Sequence, residues 1–236
     1  MKSYNTTIGD LMNVEFPIET DTYKPIRHID VIDSIKEQID KKNIIISKEI
    51  YKSANSGLQL LGELRLASKI DNEIDMSMLF QNSYNKTLSL KLASGFFVFI
   101  CGNGCVCGSS GKFKKKHVGE IQTLTPLKII EQLNNVEKDF QKAIDFKKRA
   151  KEIEITKKTC AQLLGRLYFE EELISSTQMG IIKGEMELPQ FNYGVNNTLW
   201  NLYSDITHSQ KSIHPSLFLH QASEISKFFE NEYQLV

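Results

Sequence analysis

The chain has 236 residues, and its 29 lysines and arginines are balanced by 29 aspartates and glutamates, so its formal net charge is zero. Hydrophobic residues make up 41% and charged residues 25%, which is ordinary globular composition rather than that of disordered, fibrous or membrane-embedded chains. A neutral chain offers no bulk attraction to phosphates, so any contact with nucleic acid has to come from a local patch.

Residues 1–24 show no sustained hydrophobic period and read as an N-terminal arm packed on the body. After Pro25, Ile29, Ile32, Ile35 and Ile39 recur at helical spacing. The stretch "IIISKEIYKSANSGLQLLGELRLAS" is a hairpin signal, with β-branched and apolar runs on either side of "NSG". "DMSMLFQNSYNKTLSLKLASGFFVFICG" continues with short apolar strands, the last of which, Phe96 to Cys101, is expected to be a buried strand. It is far shorter than the roughly 20 residues that cross a membrane.

Beyond Pro126 the period becomes 3.6, with Leu127, Ile130, Leu133, Val136, Phe140 and Ile144 as the apolar stripe of a helix ending near "KKRAKE". Further helices are expected at about Thr156 to Phe169, in "NNTLWNLYSDITHSQ" and in "PSLFLHQASEISKFFENEY". Strands followed by helices imply an α+β fold: a mainly antiparallel sheet with a flanking helix in the first half, and a helical second half packed on it. No repeat or linker divides the chain, so 25–236 is read as a single domain, with 25–122 as helix plus sheet and 123–236 as helical.

Four cysteines, three of them clustered, do not form a spread disulfide framework, and no signal peptide opens the sequence, so a cytoplasmic location is expected. Cys101, Cys105 and Cys107 share one parity, with His117 near in sequence, which raises a zinc site. The spacing is C-x3-C-x-C rather than paired knuckles, and glycines at 102 and 104 interrupt the strand. Packing is the preferred reading, with no metal and no cofactor expected. Cys105 as a nucleophile rests only on nearby lysines and a histidine. Hydrolase, P-loop and dinucleotide fingerprints are absent.

The lysines carry more. Lys112, Lys114, Lys115 and Lys116, with Phe113 between them and His117 adjacent, form a basic patch beside a glycine-rich turn, to be weighed against a solvated hairpin tip. Asn82, Ser83, Asn85 and Lys86 suit a turn as well as a site. Late in the chain, Trp200 and Tyr203 are expected to face the core, while Asn201, Asp205 and His208 fall on another helical face that points into a cleft or to solvent.

"FQNSYNKTLSLKLASGFFVFICGNGCVCG", "FKKKHVGEI" and "TLWNLYSDITH", in that order, resemble a phage- and plasmid-linked bacterial family known as domain of unknown function 932. The resemblance covers roughly Ile29 to the end. It implies a mobile-element setting and a shared polar site made of Asn82, Ser83, Lys86, Cys101, Asn103, Lys116, His117, Trp200, Asn201 and Thr207. The chain departs from the family pattern at Gln81, where an arginine is expected, and at Asn85, where an aspartate is common; an amide is no general base.

Three functions follow as expectations. The first is nucleic-acid handling, such as single-strand binding or annealing, with Lys112 to Lys116 on phosphates and Phe113 or Tyr84 stacked on a base. The helix–sheet–helix layout is similar to that of strand-annealing proteins at the level of fold. The second is an enzyme for an anionic or phosphate-bearing substrate, with His117 as acid or base and Lys116 as stabiliser. The third is a structural protein, with Phe228 and Phe229 supporting self-association into a homo-oligomer.

Overall fold

The computed structural model describes residues 4–68, 70–106 and 112–234, excluding the side chains of Lys112 and Gln122. In chain order the elements are β1 (Tyr4–Asn5), α1 (Ile8–Met12), α2 (His28–Lys41), β2 (Ile45–Ala54), β3 (Gln59–Ala67), β4 (Ile74–Ser83), β5 (Leu90–Val98), β6 (Gly104–Val106) and β7 (Lys112–Lys115). Helices follow: α3 (Ile121–Glu152), α4 (Lys157–Gly165) running into a π turn at Arg166–Glu170, α5 (Ser176–Glu187), α6 (Leu199–Ser209) and α7 (Pro215–Tyr233). The fold is α+β.

The strands form one antiparallel sheet in the order β1-β2-β3-β4-β5-β6, and β7 also pairs with β5. β5 therefore has two partners along one edge, β7 beside Leu90–Ala93 and β6 beside Gly95–Phe97. The N-terminal arm contributes β1 to this sheet and buries Leu11 and Tyr23. The β2–β3 turn places Asn55 and Ser56 at φ 51° and 56°, the left-handed pair that matches strand twist in a tight hairpin.

β4 is buried on both faces along its whole length. On one face Leu60, Leu64, Met76, Met78, Phe80, Leu92 and Phe96 pack with Val31 and Ile35 of α2 and Val136 and Phe140 of α3. Gly62 permits this packing, since a Cβ there would sit 2.1 Å from the Phe80 ring. On the opposite face Leu61, Leu79, Ala93 and Val106 meet Leu219 and Ala222 of α7. A buried ion pair ties α3 to the β3–β4 connection, with Lys147 Nζ donating to both Asp71 oxygens at 2.6 Å.

Three elements differ from the expectations. The strand read as Phe96 to Cys101 ends at Val98, and Phe99 and Ile100 are exposed in a turn. Gly102 supplies the left-handed φ of 64° that this turn requires. α3 begins at Ile121, before Pro126, and buries Ile121 and Ile129 rather than Leu127 and Ile130, which are exposed. α5 was not expected, although Ser175 and Gln178 form a capping box at its start. Phe228 and Phe229 are interior, so they offer no surface for self-association.

Candidate functional site

Asn82 lies at the end of β4, where its side-chain amide donates to Ile26 O at 2.9 Å and meets His28 Nδ1 at 3.0 Å. His28 Nε2 faces Gly57 O at 3.0 Å, so this nitrogen carries the proton and Nδ1 accepts from Asn82. Tyr84 stacks on His28 at 3.8 Å, and its hydroxyl accepts from His28 N at 2.6 Å. Burial, opposed by the Gly57 carbonyl and reinforced by nearby His117, pushes His28 down to about 4. These are the contacts of a sealed core.

His117 packs edge-on against Tyr23, with both ring nitrogens buried and without hydrogen-bond partners, and burial lowers its pKa. Lys116 beside it is exposed. The Lys116–His117 pair is thus divided between solvent and interior, and a substrate in solvent does not reach the imidazole. Tyr84 is equally enclosed and Phe113 packs against the core, which removes both from base stacking. Ser83 Oγ donates to Leu88 O and accepts from Leu88 N, closing the turn. Lys86 is exposed at φ 62° with its ammonium 4.7 Å above the Tyr23 ring.

Asn103 lies elsewhere. Its amide donates to Ser204 O and Thr207 Oγ1, each at 3.2 Å, and locks the β5–β6 turn to α6. Asn201 caps α6 by accepting from Thr198 N and Oγ1. The polar residues expected to share one site are therefore split among the β4 end, the β5–β6 turn and the start of α6. Among the described residues no group of three or more His, Cys, Asp or Glu is placed to hold a metal ion. Cys107 lies outside the described residues, Cys105 is buried in the core, and Cys101 sits in the turn beyond β5.

What the fold does bring together is charge. Register aligns Lys52, Leu61, Gln81, Lys91 and Lys114 in one row across β2, β3, β4, β5 and β7. Four strand spacings of about 4.8 Å separate its ends by about 19 Å. α7 covers the middle and leaves the lysines at either end. At the β5–β7 end Lys91 is half-buried, and burial and neighbouring Lys114 lower its pKa. Lys116 follows Lys114 at the end of β7, while Lys115, opposite Leu90, points to the other side of this sheet edge; none of these four lysines has a carboxylate within ion-pair distance among the described residues.

At the other end a cavity of about 220 Å³ is lined by Lys52, Glu63, Arg65, Gly102, Thr207 and Lys211, among others. Arg65 is committed to Glu63 at 2.9 Å, to Gly102 O at 2.9 Å and to the Phe97 ring at 4.3 Å. Lys211 donates to Cys101 O at 2.7 Å, and burial lowers its pKa despite the nearby Cys101. Among the described residues no carboxylate lies within ion-pair distance of Lys52, although its charge acts on Glu63 in the same cavity. Phe99, 49% exposed, stands beside Phe97 at 5.2 Å and supplies an open aromatic face near these cations. Sequence reading missed Lys52, Lys91, Arg65 and Lys211; a lone lysine in the apolar alternation "LSLKLAS" was the available signal for Lys91.

The molecule is an α+β protein whose sheet carries, at both ends of one cross-strand row, lysines with no carboxylate in ion-pair distance among the described residues. Residues 17–214 match the family described as Domain of unknown function (DUF932), and the chain belongs to that family. No curated protein and no solved structure matches the chain. No helix among the described residues is long and apolar enough to cross a membrane.

Proposed function

We propose that this protein binds single-stranded nucleic acid, with the sugar–phosphate backbone against Lys91, Lys114, Lys115 and Lys116 on the β5–β7 edge. The observation that carries this reading is the crowding of lysines with no carboxylate in ion-pair distance among the described residues, in a chain of zero net charge, where burial and the neighbouring Lys114 disfavour the charge on Lys91. A phosphate between them relieves that repulsion and forms charge-assisted hydrogen bonds. Lys52, at the far end of the same row, provides a second phosphate contact at the mouth of the cavity it shares with Arg65 and Lys211, and exposed Phe99 provides a stacking face. The mobile-element setting implied by the family resemblance accords with a strand-binding or annealing role.

The test is fluorescence anisotropy of a labelled oligothymidylate at low salt. Replacing Lys91, Lys114, Lys115 and Lys116 by glutamate is expected to weaken binding at least tenfold and to flatten its salt dependence. Each lost phosphate contact removes about 0.7 from the log–log slope for a single strand. Lys183→Glu, on α5 beside Glu187, serves as the control and is expected to bind as wild type. No binding at low salt, or equal binding by the fourfold variant, overturns the reading.

A further inference from the structure

A second cavity, of about 290 Å³, opens between α5, α6 and the segment 188–198, away from the cationic row. Its lining includes Glu185, Phe191, Tyr193, Asn196, Asn201 and Asp205. Asp205 is only 6% exposed, yet its carboxylate has no hydrogen-bond or ion-pair partner among the described residues. Glu185 is also buried; one oxygen accepts from Gln190 N at 3.1 Å and the other lies 3.7 Å from His208 Nε2. The Tyr193 hydroxyl is buried with no oxygen or nitrogen partner among the described residues, and the Cys101 thiol is the group that faces it.

The protein's own cations answer this negative charge only in part: burial disfavours the charged forms of His208 and Lys211, while the Glu185 charge favours them. His208 is held below its usual pKa by burial and by Lys211, so it is neutral at neutral pH. The Lys211 ammonium is turned to Cys101 O and lies 5.7 Å over the Phe191 ring. Cys160 lines the same cavity as a buried thiol whose pKa is raised by burial. Two enclosed carboxylates with one acceptor side open are an expensive arrangement. The occupant that satisfies it carries positive charge and several N–H donors.

We propose that this cavity binds a small organic ligand through a protonated primary amine, with Asp205 and Glu185 accepting from the ammonium and the Tyr193 hydroxyl and Phe191 ring enclosing its carbon frame. A bare divalent ion is the weaker match, because no third His, Cys, Asp or Glu among the described residues is placed to complete a metal site. Burial and the neighbouring Glu185 charge push Asp205 up to about 7. Binding of the ammonium therefore strengthens as Asp205 ionises.

The experiment is a thermal-shift and NMR titration of the full chain with phenethylammonium chloride, with phenethyl alcohol as its neutral counterpart and magnesium and manganese chloride as separate arms. A saturable stabilisation by the amine at pH 8, absent with the alcohol, at least threefold weaker at pH 5.5 and lost in Asp205→Asn, is expected. Equal response to the alcohol, an unchanged response in Asp205→Asn, or a response confined to the metal ions overturns the proposal. Should Asp205→Asn not fold, Tyr193→Phe replaces it, and a threefold or greater loss of amine affinity is expected; unchanged affinity overturns the proposal. The fourfold lysine variant of the β5–β7 edge is expected to retain the amine response in full, which keeps this site separate from nucleic-acid binding.

Discussion

The two faces of the sheet are built from the same strands and solve burial in different ways. The face under α2 and α3 is apolar along β3, β4 and β5 except for Asn82 and the fully buried Ser94 opposite Met78. The Asn82 amide nitrogen is hydrogen-bonded to Ile26 O and His28, while its oxygen has no partner among the described residues. The face under α7 has a smaller apolar cluster, with Gln81 and Ser77 buried in it without partners and lysines at both margins. The first arrangement holds the fold. The second carries unspent polarity and charge, and binding sites are made of such material.

The sharpest way to break this comparison is to shorten adjacent residues of β4 that face opposite ways. Phe80→Ala removes a ring that fills the space over Gly62 and touches both helices' layer. It is expected to lose about 3–5 kcal/mol. Leu79→Ala, under α7, is expected to lose about 2–3 kcal/mol, the low end for a buried leucine. Urea denaturation of both variants measures the difference, and a larger loss at Leu79 reverses the ranking of the faces.

Acid is the next probe, because it attacks the His28 side selectively. An unfolded histidine titrates near 6.5, whereas buried His28 is pushed down to about 4. Below pH 6.5 the unfolded chain takes up a proton that folded His28 refuses, so stability falls as pH drops from about 6.5 to about 4. The full loss is on the order of 3 kcal/mol, and His117, shifted the same way by burial, adds to it. Asp205 works in the opposite direction: its raised pKa makes folding less favourable as pH rises from about 4 to about 7. The two windows overlap between about pH 4 and 6.5, so the opposite slopes largely offset each other in the wild type. Asp205→Asn is expected to uncover the His28 slope, so that denaturation midpoints fall more steeply with acid in the variant than in the wild type.

A smaller effect separates an amide whose nitrogen is hydrogen-bonded from one with no partner on either atom. Asn82→Leu strands the acceptors of Ile26 O and His28 Nδ1 and is expected to destabilise by about 2 kcal/mol. Equal stability of the variant in urea denaturation contradicts the assignment of those bonds as structural.

Much of this architecture was legible in the sequence. The isoleucine spacing of α2, the "NSG" hairpin and the switch to a 3.6 period after β7 each express a local rule. Periodicity also placed Trp200 and Tyr203, stacked 5.9 Å apart in the core. The site was less legible, because the row from Lys52 to Lys114 exists only through register between strands distant in sequence. Asn82, Asn103 and His117 were singled out as polar residues in apolar surroundings, but whether such groups reach a ligand or a neighbouring backbone depends on tertiary packing. Asp205 was placed on a polar helical stripe; its partner Glu185 belongs to α5, whose capping box went unread.

The smallest expected effect bears most directly on what the α7 face is for. Gln81 is fully buried, and neither its amide nitrogen nor its carbonyl oxygen has a partner. Its cross-strand neighbours are Leu61 and Lys91. Replacing an unsatisfied buried amide by an apolar side chain of similar volume removes a desolvation cost and breaks no bond, so Gln81→Leu is expected to stabilise by about 1 kcal/mol. If the same variant also weakens oligonucleotide binding, Gln81 belongs to the row that contacts the strand, and its burial under α7 describes only the unbound molecule. If binding is unchanged while stability rises, contact is limited to the lysines at the row's ends and α7 stays in place. A loss of stability instead means that Gln81 is satisfied within the fold, and the α7 face then resembles the α3 face more than the two patterns of burial imply.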